Sequence, residues 1–166
     1  MACWTARQIW KTMPKERRAE AALALWESEH VSRDDRLAAL APWLTARGFR
    51  ASYLEQLPRP RRAALIAEGG LPEETAMQVL SAFHLAHRRP LLARFLDLLE
   101  IPHDDGLFKE GEGLDPERLT PEKLRAAVDA VKSEFPPDDV DLYVRTLTAQ
   151  DPDSWKDLAE LAGEPA

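Results

Sequence analysis

Apolar residues along this chain recur at helical spacing, and no stretch shows the alternation or β-branched enrichment of a strand. The pattern predicts a first helix over 4–12 and a second from Pro14 to about Glu29, with Ala19, Ala22, Leu23 and Trp26 on one face. Ser32, followed three residues on by Asp35, reads as the cap of a third helix carrying Leu37, Leu40 and Leu44 and closed by Gly48. Pro42 lies inside that helix and predicts a kink or a split. Shorter helices over 52–57 and 60–68 flank the Pro58-Arg59-Pro60 corner, with Gly69-Gly70 expected to end the second by supplying positive φ.

Residues 73–88 and 91–100 form the most apolar part of the chain, with Pro90 between them. The second piece, LLARFLDLLE, leaves only Arg94, Asp97 and Glu100 as obvious solvent positions, so the two are expected to make a central apolar helical hairpin. Residues 101–115, IPHDDGLFKEGEGLD, are the longest irregular stretch, with Asp104-Asp105-Gly106 as a turn. Three more helices follow: 121–134 with Leu124, Val128 and Val131; 138–149 with Val140, Tyr143, Val144 and Leu147; and 153–162 with Trp155, Leu158 and Leu161. Pro14, Pro72, Pro121, Pro136-Pro137 and Pro152 each stand where a helix begins, as the missing N–H of a first-turn proline costs nothing. The expected fold is a single all-α domain of about seven to nine helices. Its main body covers 1–100, a loop 101–113, and a smaller acidic helical subdomain 114–163.

Composition narrows the class of protein. The 166 residues are 45% hydrophobic and 31% charged, which is ordinary for a folded domain. No apolar run reaches membrane-spanning length, and Arg7, Gln8 and Lys11 interrupt any signal-like core near the N-terminus, so a cytoplasmic chain with no membrane partner is expected. Cys3 is the single cysteine, which excludes an internal disulfide and a cysteine metal cluster. The net charge of −7 is uneven, because residues 1–70 hold 12 Lys/Arg against 8 Asp/Glu whereas 71–166 hold 10 against 21. That acidic excess disfavours a general nucleic-acid binder.

Three constellations could carry chemistry. His84, His87 and His103 fall within twenty residues, and on a helical wheel His84 and His87 share the arc of Met77, Leu80 and Phe83. With Arg88 and Arg89 beside them they could line a pocket for a small molecule, an anion or a metal, although His103 lies too far along the chain to complete one zinc site. The plainer reading is core histidines and a structural turn. The fourth histidine, His30, reads as a surface residue at a helix C-terminus. Arg47, Arg50, Arg59, Arg61 and Arg62 form a second group, suited to carboxylate or phosphate. A helix–turn–helix over 61–89 would open its recognition helix with Glu73-Glu74, against the charge of a DNA groove. The third group is Trp4, Trp10, Trp26 and Trp43, since tryptophan and arginine dominate interface hot spots.

No phosphate loop, dinucleotide fingerprint, HExxH, GxSxG, EF-hand or paired Glu-x-x-His pattern is present. The sequence reading is therefore a non-catalytic α-helical protein–protein interaction module, self-association included, with no cofactor and no metal. Trp4, Trp10, Arg61 and Arg62 are its expected contact residues. The alternative is a small-molecule or anion-binding protein or enzyme using His84, His87, Arg88, Arg89 and His103, and a nucleic-acid-binding regulator comes third.

Overall fold

The computed structural model describes residues 3–29, 31–109, 114–115, 117 and 119–165, so His30 lies outside the described residues. Ten α-helices and one two-stranded antiparallel hairpin lie among them, an all-α fold as the periodicity predicts. Contacts divide the chain into two compact units. One is Thr5–His87; the other is Arg88–Ala166 together with Met1–Trp4. Residues 73–88 and 91–100, read from sequence as one hairpin, thus contribute to different units.

The unit Thr5–His87 contains α1 (Ala6–Thr12), α2 (Lys15–Glu27), α3 (Arg33–Arg47), α4 (Ala51–Gln56), α5 (Arg59–Ala67) and α6 (Glu73–His87). Helix α2 packs against α5 and α6, while α1 and α3 also pack on α6. Buried Ala21, Ala22 and Ala24 give α2 a slim profile between its neighbours, and Leu25 is fully buried while Leu23 stays half-buried. The expected face of α2 is therefore rotated, because its alanines leave a wide arc that either neighbour can cover. Trp10, Leu40, Trp43, Leu54, Ile66, Leu80 and Phe83 complete this core.

Helix ends in this unit follow local chemistry. The N–H of Gln8 donates to Thr5 Oγ1, and the Gln8 side chain reaches back to the Thr5 N–H, a reciprocal capping box. The Glu73 carboxylate accepts the N–H groups of Ala6 and Arg7 at 2.7 and 3.0 Å, satisfying two more donors at the same helix start. Ser32 Oγ accepts the Asp35 N–H at 3.1 Å, and Gly48 ends α3 in the left-handed region at φ 69°. Pro42 does not split α3, because the carbonyl it leaves without a backbone donor belongs to exposed Ala38. Gly69 and Gly70 do not take positive φ. The carbonyls ending α5 are met by side chains instead: the Trp10 indole donates to Gly69 at 2.9 Å and Arg18 to Ala67 at 3.5 Å.

The second unit contains α7 (Arg89–Leu98), β1 (His103–Asp104), β2 (Leu107–Phe108), α8 (Pro121–Glu134), α9 (Pro137–Gln150) and α10 (Lys156–Ala162). Helix α9 packs on α8 and α10, and α7 packs on α8 and β1. Phe95, Tyr143 and Trp155 meet at ring separations of 5.6 and 6.3 Å around Phe95, giving this unit its own aromatic core. Its hairpin turns on Asp105 and Gly106, at φ 49° and 91°, the paired positive angles of a tight two-residue turn. A side chain at Gly106 would come within 2.9 Å of Leu92 Cβ, so glycine is required there twice over. The N-terminal segment joins this unit through Trp4, whose indole donates to the Ala162 and Gly163 carbonyls at 3.3 and 3.0 Å. Arg145 lies 4.4 Å over the Trp4 ring and also donates to the Ala162 carbonyl.

Candidate functional site

The five residues expected to line one ligand pocket fall into two units. His84 and His87 end α6 in the first; Arg88, Arg89 and His103 belong to the second. His84 is 2% exposed with its ring 5.4 Å from Phe83, and exposed His87 lies 5.7 Å from the same ring. His84 thus lies on the buried face its wheel position predicts, whereas His87 sits exposed at the rim beside the Phe83 ring.

Each of the other three is committed to a different carboxylate. Arg88 pairs with buried Asp139 at 3.0 Å, and Arg89 with Asp105 at 3.0 Å. His103 Nδ1 accepts the Gly106 N–H at 3.0 Å, which leaves the proton on Nε2 to donate to Asp97 at 2.6 Å. Both ring nitrogens are thus engaged in closing the hairpin and tying it to α7. No group of three or more His, Cys, Asp or Glu suited to a metal occurs among the described residues.

The tryptophans and arginines sort by what they touch. Trp4 and Trp10, at 5% and 0% exposure, are core residues rather than surface anchors. Arg18 donates to the Trp10 and Lys11 carbonyls at the end of α1 and lies 5.9 Å over the Trp10 ring. Arg36 donates to the Leu25 and Trp26 carbonyls at the end of α2 and lies 5.8 Å over Trp26. Arg62 donates to the Glu55 and Leu57 carbonyls at the end of α4 and lies 5.7 Å over the same Trp26 ring. Helix C-termini carry unsatisfied carbonyls and partial negative charge, so a guanidinium there meets both needs, while the indole covers its apolar face. Of the expected contact residues, Arg61 alone is exposed; Arg62 is half-buried in this capping role.

One exposed aromatic–arginine group lies where α3 meets α4. At the C-terminal end of α3, Phe49 sits 5.9 Å from Trp43 and 5.3 Å from Tyr53, and the Arg47 guanidinium lies 5.4 Å over Phe49. Tyr53 is 48% exposed, the largest exposure of any bulky apolar side chain among the described residues. At the other end of α3, Arg33 grips the Glu55 carboxylate through two hydrogen bonds of 2.9 Å. That fork holds the Glu55 carboxyl below the usual carboxylate range. The sequence reading missed Phe49 and Tyr53. Phe49 lies in the link between α3 and α4, outside any helical periodicity, so no sequence pattern joined it to Tyr53.

In the second unit two open depressions of about 510 and 230 Å³ lie on α8 (Pro121, Glu122, Arg125, Asp129) and beside the start of α10 (Leu119, Asp153, Asp157). Both are shallow surface features of mixed charge with no convergent set of reactive groups. No described helix is long and apolar enough to cross a membrane. No family model, no curated protein and no solved structure matches this chain.

Proposed function

We propose that this chain is a non-catalytic helical protein–protein interaction module whose docking surface is the α3–α4 face. The observation that supports it is the Arg47-Phe49-Tyr53 cluster, in which exposed Arg47 and Tyr53 flank half-buried Phe49 and buried Trp43 lies against Arg47 and Phe49. Arginine and tyrosine on a fixed backing are the side chains that give interface energy at low entropic cost. Trp4 and Trp10 are not part of the surface, since their indoles hold helix ends together. A second copy of the chain is one admissible partner. The test is a photo-cross-linking amino acid placed at Tyr53, compared with the same group at exposed Glu160 on α10. A discrete cross-linked species from position 53, absent from 160, supports the reading. Cross-links at neither position, or equally at both, reject it.

A further inference from the structure

We infer that Arg33, Arg36, Arg59 and Arg62 form a recognition site for the carboxylates of an acidic peptide segment on a partner protein. The inference rests on the interaction-module reading and names the chemistry of the partner.

These four arginines come from the start of α3 and the start of α5, and they gather around Trp26 and Glu55. Arg36 and Arg62 are fixed by two backbone carbonyls each and share the Trp26 ring, so their guanidiniums are ordered before any ligand arrives. Arg59 precedes Arg62 by one helical turn, is exposed, and has no hydrogen-bond or ion-pair partner among the described residues. Charge around Arg36 is unbalanced. Its guanidinium is held below the usual arginine range by burial first, then by Arg59 and Arg62, with Glu55 the opposing charge. Asp34 adds a negative charge beside Arg33 only. Like charges left facing one another are a standing repulsion that an arriving anion relieves.

The Glu55 carboxylate on Arg33 shows the binding mode, a bidentate fork that ligand carboxylates can repeat at Arg59. A compact phosphate or a nucleic-acid backbone fits less well. The starts of α3 and α5 favour an anion of either kind, but Arg36 and Arg62 spend donors on the carbonyls ending α2 and α4, which leaves separate guanidinium forks for spaced carboxylates rather than one closed cradle for a phosphate. An extended peptide spaces its carboxylates along the arginines and continues along α4 toward Tyr53, two residues from the Glu55 that Arg33 holds.

The test measures fluorescence anisotropy of a labelled polyglutamate peptide against the full chain and its Arg59→Glu variant, each alongside a thermal melt. The expected result is binding that weakens with added salt and falls about tenfold or more in Arg59→Glu, with a melting temperature unchanged or raised. Arg59 caps nothing, so the fold survives its reversal. Absence of peptide binding, or equal binding by the variant, overturns the inference. So does a duplex oligonucleotide that binds through Arg59 where polyglutamate does not. A cross-link from position 53 that persists when polyglutamate fails to bind removes this inference alone and leaves the interaction reading standing.

Discussion

Arginine paired with tryptophan is the repeated device of this protein at the residue scale. Arg18, Arg36, Arg62 and Arg145 each give hydrogen bonds to carbonyls at a helix end while lying over an indole. Sequence could show that these residue types are abundant but not where they go, since a helix end and the arginine that caps it are up to 49 positions apart, as in Arg18 and Ala67. Glycine placement was more legible. Gly48 was readable as a left-handed stop, and its structure shows why: the Phe49 N–H reaches the Leu44 carbonyl and the Gly48 N–H that of Thr45. Helix α7 ends with the same bonds, Ile101 to Leu96 and Glu100 to Asp97, but Glu100 takes the left-handed angle of 56°. Gly48→Ala should therefore lower stability by about 1 kcal/mol, and Glu100→Gly should raise it by a similar amount. Nothing lies within 4 Å of a side chain at Gly48, so the first effect is purely conformational. Urea denaturation of the two variants checks both signs.

At the scale of elements, local signals were well written and their assembly was not. The Ser32 cap and the openings at Pro14, Pro72, Pro121 and Pro136-Pro137 located helix starts within a residue or two, because both act through the first turn alone, whereas Pro152 opens a turn and α10 begins only at Lys156. The β1–β2 hairpin escaped notice although Asp105-Gly106 is a strong two-residue turn signal, since strands of two residues have no periodicity to detect. The assignment of α6 and α7 to different units was also hidden, because apolar faces say that a helix is covered but not by what. Arg88, expected to bind a ligand, instead pairs with Asp139, whose side chain is 9% exposed. Arg88→Leu should destabilise by about 3 kcal/mol, since it removes the cation paired with a buried carboxylate, and Asp139→Asn added to it should recover part of the loss. A double-mutant cycle by thermal denaturation measures this coupling; additive effects would remove the structural role assigned to the pair.

Across the whole molecule, charge distribution governs behaviour. Residues 5–87 carry 12 basic and 10 acidic side chains, while the remainder carry 10 and 19, so the two units differ in sign. Titration adds a stability window. The carboxyls of Glu55, through its Arg33 hydrogen bonds, and Asp151, through Ser154, lie below their ordinary values in the folded chain. Their contribution is present above the usual carboxylate range and is lost as pH falls through the lowered folded values, so acid below about pH 4 should destabilise. Burial raises the Tyr143 phenol. That contribution is intact below about pH 10 and is lost at higher pH, where only the unfolded chain ionises freely. Melts recorded across pH should show a broad plateau with losses at both ends. His84 and the tryptophans are buried within their own units, which leaves the exposed Tyr53 on α4 as the contact the proposed interaction function requires. Native mass spectrometry of the chain isolated without chelators, in wild type and Tyr53→Asp, decides between a polypeptide partner and a small-molecule ligand. The expected result is complexes whose added mass is a whole polypeptide, a second copy included, and which dissociate in Tyr53→Asp. A stoichiometric adduct of small-molecule or metal mass that survives Tyr53→Asp and disappears in His87→Ala or Arg89→Ala would contradict it.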